Sequence, residues 1–164
     1  MKRVIALADS HGLSSGLQQA IDLALKRGKV DVVAFLGDGL RDFQALEPAL
    51  TRRGVQCMTV RGNNDFSFHV PSELVFRVDG VVFYACHGHQ WQVKYGLERL
   101  MYAAREREAQ VALFGHTHQS ALEAEYGIYF INPGAVSLPR LSRYAYAEIC
   151  IQDGHIRPAL VPWD

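Results

Sequence analysis

Five short stretches of this 164-residue chain place acidic, amide or imidazole side chains directly after apolar runs. RVIALA leads into Asp9-Ser10-His11, and VVAFL into Gly37-Asp38. CMTVR leads into Gly62-Asn63-Asn64-Asp65, VFYAC into His87-Gly88-His89, and VALF into Gly115-His116-Thr117-His118. These side chains are all competent to bind a metal ion. Asp9/His11 and His116/His118 are i, i+2 pairs, which an extended backbone would project to one side. The neighbouring glycines allow sharp turns and close backbone approach. Six of the seven histidines, His11, His69, His87, His89, His116 and His118, lie at or near these run ends; only His155 falls in an unrelated turn. Any one of these motifs is ordinary, and a lone histidine is more often a hydrogen-bonded structural residue than a ligand. Five together point to one site.

The elements that must position them follow from periodicity. RVIALAD (3–9), VDVVAFLGD (30–38) and VQCMTVRG (55–62) are apolar runs of strand length. Between the first two, Leu17, Ala20, Ile21, Ala24 and Leu25 have helical spacing. Ser14 or Ser15 is available to cap that helix and Gly28 to end it. A second helix is predicted over 40–52. This β-α-β-α-β order, with nearly continuous apolar strands, predicts a parallel sheet covered by helices. Residues beyond the carboxyl ends of such strands line the ligand crevice of open α/β sheets.

The pattern then changes. LVFRVDGVVFYACHG (74–88) reads as a hairpin about Asp79-Gly80. Residues 95–108 predict an amphipathic helix with Leu97, Leu100, Met101 and Ala104 inward. After the strand at 111–116, the remainder is strand and turn, with another turn at Asp153-Gly154. One α/β domain spanning 1–164 is expected.

Composition narrows the function classes. Lys plus Arg and Asp plus Glu both number 17, so no charge excess marks nucleic acid or an anionic membrane as an obligate partner. The apolar run near the N-terminus is too short for a signal peptide, and no run reaches membrane-spanning length. Cys57, Cys86 and Cys150 are odd in number and sit in apolar runs, so they read as reduced, buried thiols. A cytoplasmic protein is expected, its oligomeric state open and a homo-oligomer included.

The five motifs, in this order, resemble the signature of the calcineurin-like metallophosphoesterase superfamily: D-x-H, G-D, G-N-x-D/E, H and G-H-x-H. The small size, His87-Gly88-His89 and Asn132-Pro133-Gly134 are similar to its compact YfcE-like phosphodiesterase branch. The resemblance implies a four-layer α/β/β/α sandwich of two mixed β-sheets flanked by helices. It also implies two divalent metal ions, Mn, Fe, Ni, Co or Zn. Asp9, His11 and His118 would hold the first, Asn63, His87 and His116 the second, and Asp38 would bridge both. The implied activity is hydrolysis of a small phosphoester, a diester by preference, by a bridging hydroxide made nucleophilic by the metals.

The sequence departs from larger members at Asn64, where many have a histidine that protonates the leaving group. An amide cannot do so. Asn64, Asp65 and His89 are therefore the candidate catalytic residues beside the metals, with His89 the nearest alternative acid and His69 a weaker one. Asp65 is equally suited to orient a ligand or cap a turn. Phe66, Phe68, Trp91 and Tyr95 lie beside ligand motifs and would either wall a cleft or, for any single one more simply, close the core. Lys94, Arg140 and Arg143 are available for phosphate but more often such residues are solvated. Asn132 is a candidate donor behind the ligands. The alternatives are a phosphomonoesterase or nuclease on the same site, or a non-catalytic scaffold of the retromer-subunit type.

Overall fold

Alternate residues of the central strands face two different apolar layers. Val4, Ala6, Ala8, Val32, Ala34 and Leu36 pack against the opposite sheet, whereas Ile5, Leu7, Val33 and Phe35 pack against helices. Burial on both faces is why these strands are continuously apolar rather than alternating. The computed structural model describes residues 1–137 and 143–163.

In chain order the elements are β1 (Lys2–Leu7), α1 (Ser14–Lys26), β2 (Val32–Phe35), α2 (Leu40–Arg52), β3 (Gln56–Thr59), β4 (Glu73–Val78) and β5 (Val81–Cys86). Two short 3-10 turns, His89–Trp91 and Val93–Tyr95, precede α3 (Glu98–Glu106). Then come β6 (Val111–Leu113), β7 (Ala121–Glu125), β8 (Ile128–Asn132), β9 (Ala145–Gln152) and β10 (His155–Pro162). One five-stranded sheet has the order β10-β9-β1-β2-β3 and the other β4-β5-β6-β8-β7. β1, β2 and β3 are parallel and β9 runs antiparallel to β1. In the second sheet β5, β6 and β8 are parallel, with antiparallel β4 and β7 outside them. Both sheets are mixed, and the layers run α1/α2, first sheet, second sheet, α3, as the resemblance implied.

The layers are sealed by apolar contact. Phe76 and Phe83 stack between the sheets at 5.0 Å, and Phe35 stacks on Phe43 of α2 at 5.1 Å. On the outer face of the second sheet, Tyr84, Cys86 and Phe130 cover Leu100, Ala103 and Ala104 of α3. Asp79 and Gly80 both have positive φ, as a two-residue type I′ hairpin requires.

Three local expectations change. α1 begins at Ser14 behind Leu13, with no side-chain cap from either serine, although Gly28 does end it, just past the C-cap Arg27 at positive φ with its N–H donated to the Leu25 carbonyl. The helix predicted over 95–108 is shorter, because Gly88, Gln92 and Gly96 all adopt positive φ and break the chain into turns before Glu98. Phe66, Phe68 and Tyr95 do not close the core but are almost completely exposed. Trp91 alone of that group is partly buried, its Nε1 donating to Tyr84 Oη at 2.8 Å. No helix among the described residues is long and apolar enough to cross a membrane.

Candidate metal centre

The loops after β1, β2, β3, β5 and β6 meet at one end of the sandwich. Their backbones are tied together: Asp9 N–H to Gly37 O at 2.9 Å, His11 N–H to Asp38 O at 3.0 Å, and Gly115 N–H to His87 O at 2.8 Å. A methyl group on Gly62 would overlap Asp38 Oδ1, so only glycine lets the β3 loop close on the β2 loop.

Six of the residues singled out by sequence form two groups, Asp9/His11/His118 and Asp38/His87/His116. Within each, one ligand atom per residue lies within 4.8 Å of the others. Asp9 Oδ1 is 3.5 Å from His11 Nε2 and 3.4 Å from His118 Nε2, and the two imidazole nitrogens are 3.2 Å apart. His87 Nε2 lies 3.3 Å from Asp38 Oδ2. The groups adjoin: Asp9 Oδ1 is 3.8 Å from His87 Nε2, and Asp38 Oδ2 is 3.8 Å from His11 Nε2.

The pairing does not arise from extended backbone. Asp9, His11, Asp38, His116 and His118 all have φ between 45° and 70°. Each left-handed residue costs roughly 1–2 kcal/mol, which the surrounding hydrogen bonds must offset. These bends keep Asp9 and His11 in one group but send His116 and His118 to different groups.

Electrostatics keep the ligand atoms available. Burial raises the Asp9 carboxyl, but the His11, His118 and His87 imidazoles more than reverse this and hold it below the usual carboxylate range. Burial of Asp38 is likewise outweighed, by His87 and then by two bonds from Asn64, so it lies well below that range. His87 Nδ1 donates to the Leu36 carbonyl at 2.7 Å, which leaves Nε2 as a lone pair facing the carboxylates. Burial disfavours charge on His87, yet Asp38 and Asp9 raise its pKa overall; the Asp9 contact raises that of His11. His116 is pushed down to about 4 by burial, His87 and Lys94, and so is neutral at pH 7.

The residues fit divalent cations. Asp9 Oδ1 and His87 Nε2 are buried without a directed hydrogen bond, an arrangement that is costly unless a cation takes their lone pairs. Imidazole and carboxylate with no thiolate suit Mn, Fe, Co, Ni or Zn. The cysteines are free: Cys57 and Cys86 have thiols pushed up by burial, to about 11 and about 12.

The remaining candidates separate. Asn63 is exposed on the β3 loop, while Asn64 gives both its N–H, at 2.9 Å, and its Nδ2, at 2.8 Å, to Asp38. Asp65 is a positioning residue, because its oxygens accept the backbone N–H groups of Asp38, Gly39, Leu40 and Gly62 at 2.7–3.1 Å. His89 stands beside the second group, 5.5 Å from the His87 ring and 6.1 Å from that of His116. His69 is exposed farther along the β3 loop, outside both groups. Asn132 donates to Gly115 O and Thr117 Oγ1, each at 3.0 Å, fixing the turn that carries His116 and His118. Lys94 lines a cavity with Phe114 and Thr117. Arg143 is exposed, and Arg140 lies outside the described residues.

Sequence reasoning missed Asp42. Its Oδ2 accepts the Ser10 hydroxyl at 2.6 Å and the Gly12 N–H at 2.9 Å, bracing the loop of Asp9 and His11. An acid in the first turn of a predicted helix was the only signal, and such acids are common.

Fold and site together define a metal-dependent phosphoester hydrolase family. Residues 1–154 match the calcineurin-like phosphoesterase superfamily domain, and the chain belongs to that family. A Bacillus subtilis protein named "probable metallophosphoesterase YsnB" is 32% identical over 151 residues, covering 92% of this chain and 85% of its own. A Streptococcus pneumoniae structure described as a predicted phosphoesterase superposes with a TM-score of 0.81 at 29% identity, over 98% of this chain and 89% of that one. A structure described as a novel archaeal phosphodiesterase shares the fold at 18% identity, with a TM-score of 0.75 over 97% of this chain and 99% of that one.

Proposed function

We propose that the protein hydrolyses a small phosphodiester with a good leaving group at a two-metal site. Asp9, His11 and His118 would hold one ion, His87, His116 and Asn63 the other, and Asp38 would serve both. The observation that carries this is the abutment of the two donor groups at Asp9 and Asp38, with buried lone pairs on Asp9 and His87 left for cations. Divalent ions bound there supply an activated water and polarise the phosphoryl oxygens.

The chain's own residues do the rest. Leu36 fixes the His87 tautomer. Asn64 orients the Asp38 carboxylate through two hydrogen bonds. Its amide cannot release a proton near neutral pH, so the leaving oxygen departs without help from this position. Aryl diesters, whose leaving groups are stable as anions, are therefore preferred over alkyl esters.

Elemental analysis and a substrate panel test the reading. Chelation should abolish hydrolysis of bis(4-nitrophenyl) phosphate, and Mn²⁺ or Ni²⁺ should restore it. A protein that binds no metal and cleaves neither this diester nor 4-nitrophenyl phosphate is not this enzyme. Strong preference for the monoester would retain the metal site but reverse the substrate assignment.

A further inference from the structure

A cavity of about 550 Å³ opens from the metal site between α2 and the β3 loop. His11, Asp38 and Asn64 line it together with the exposed Arg41, Gln44 and Phe66. Its size is that of ordinary small-molecule sites.

Phe66 is 100% exposed, so it contributes nothing to the core. The loop on either side of it is anchored. Asp65 before it bonds four backbone N–H groups, and Ser67 Oγ after it accepts the N–H groups of His69 and Val70 at 3.2 Å. An exposed aromatic face on an anchored stretch of loop beside the candidate metal groups is available to stack on a base. Arg41 is exposed on the first turn of α2, and among the described residues it has no ion-pair partner. The other ionic groups of the cavity are engaged: Asp65 and Asp42 by N–H and hydroxyl groups, Asp38 by Asn64. Arg41 is the unspent charge, suited to a phosphate oxygen.

From these features we infer that the cavity binds a nucleoside diphosphate-type ester, in which two esterified phosphates share an anhydride oxygen. This rests on the phosphodiesterase reading and names its substrate class. The base stacks on Phe66, and Arg41 meets the phosphate that is not attacked. The third requirement comes from Asn64: without a proton donor, the leaving group must be stable as an anion, and a phosphate monoester is. Water adds to one phosphorus, the anhydride P–O bond breaks, and the bond's electron pair leaves with the second phosphate. The proton released by water goes to solvent, giving two monoesters.

The test uses the full-length, metal-reconstituted protein with P1,P2-di(adenosine-5′) pyrophosphate and bis(4-nitrophenyl) phosphate. The first should yield two molecules of AMP. Phe66→Ala should lower its kcat/KM about tenfold, in line with the loss of one stacking contact. Phe68→Ala, an equally exposed aromatic on the same loop but outside the cavity lining, should leave it unchanged. Arg41→Ala should reduce kcat/KM for the pyrophosphate at least threefold more than for the bis-aryl diester, which has no second phosphate. Cleavage of the bis-aryl diester without the pyrophosphate overturns the inference and spares the phosphodiesterase reading. Equal losses in Phe66→Ala and Phe68→Ala, or equal effects of Arg41→Ala on both substrates, also overturn it. If neither compound is cleaved, the broader reading fails, and ADP binding to the metal-free protein, followed by NMR shifts, judges the cavity alone. Binding weakened by both Phe66→Ala and Arg41→Ala sustains the subsite; no binding removes it.

Discussion

The carboxylate of Asp65 accepts the backbone N–H of Asp38 at 2.7 Å. The same carboxylate takes the N–H groups of Gly39, Leu40 and Gly62, so it caps α2 and locks the β3 loop to the β2 loop. Asp38, the central carboxylate of the site, is held by a residue 27 positions away in sequence. Asp65→Ala should therefore act twice. Hydrogen bonds to a charged acceptor are worth about 1.5–3 kcal/mol each, less where water replaces them, and the total loss should be ~3 kcal/mol or more. Displacement of Asp38 should weaken metal binding about 10–100-fold, as for other residues that support ligands. Thermal unfolding and metal titration check both effects. Unchanged metal affinity in a folded variant would mean that Asp38 is positioned without Asp65.

Much of this site was legible because strand ends announce themselves. An apolar run covered on both faces must stop where polar residues begin, and five such stops carried the candidate ligands. The geometry at those stops was not legible. Asp9, His11, His116 and His118 sit in left-handed turns, so the i, i+2 spacing did not mean one face of a strand. The start of α3 was hidden for a related reason: Leu97 and Leu100 continue an apolar period back toward Tyr95, but Gly96 at positive φ interrupts the helix and Tyr95 is left exposed. Asp42 and Arg41 look like ordinary residues in the first turn of an amphipathic helix. The partners of Asp42 lie 30 and 32 residues away in sequence and Arg41 shares its cavity with the β3 loop, which local spacing does not reveal.

Asp42 should control one half of the site. It braces Ser10 and Gly12, on either side of His11, and has no bond to Asp38, His87 or His116. In the proposed two-metal site, Asp42→Ala should weaken the ion that Asp9, His11 and His118 would hold more than the other. Metal content after gel filtration should fall toward one ion per chain at concentrations that saturate both sites in the wild type. Parallel loss of both ions would show that the two loops move as one unit.

Asn64→His should change the leaving-group dependence of the reaction. The Asn64 amide lies 2.8 Å from Asp38 Oδ2, so an imidazole placed there reaches the edge of the site and carries a transferable proton. Rates for diesters with poor leaving groups should rise relative to those with good ones. In a plot of log kcat/KM against leaving-group pKa, the slope should become shallower. An unaltered slope would mean that position 64 faces away from the departing oxygen.

Acid stability should depend on Glu73, which belongs to neither metal-ligand group. Its carboxylate accepts the Tyr84 hydroxyl at 2.5 Å and Arg107 Nη2 at 3.0 Å, while the guanidinium lies 4.6 Å from the Tyr84 ring centroid. This cluster ties β4 and β5 to the chain end of α3. Burial pushes the Glu73 carboxyl up, but the Tyr84 bond and Arg107 outweigh it, and the pKa is lowered. A folded-state pKa below the unfolded value of about 4.3 stabilises the native state at pH above that value. The contribution is lost as pH falls through the depressed folded value. Glu73→Gln lacks this titration, so its Tm should be lower than wild type at pH 7. The difference should shrink as pH drops below about 4, where wild-type Glu73 takes up its proton. Unfolding curves from pH 7 to pH 3, recorded on metal-free protein so that ligand protonation affects both forms alike, measure the effect. A constant Tm difference across that range would show that Glu73 stabilises the fold through packing rather than charge.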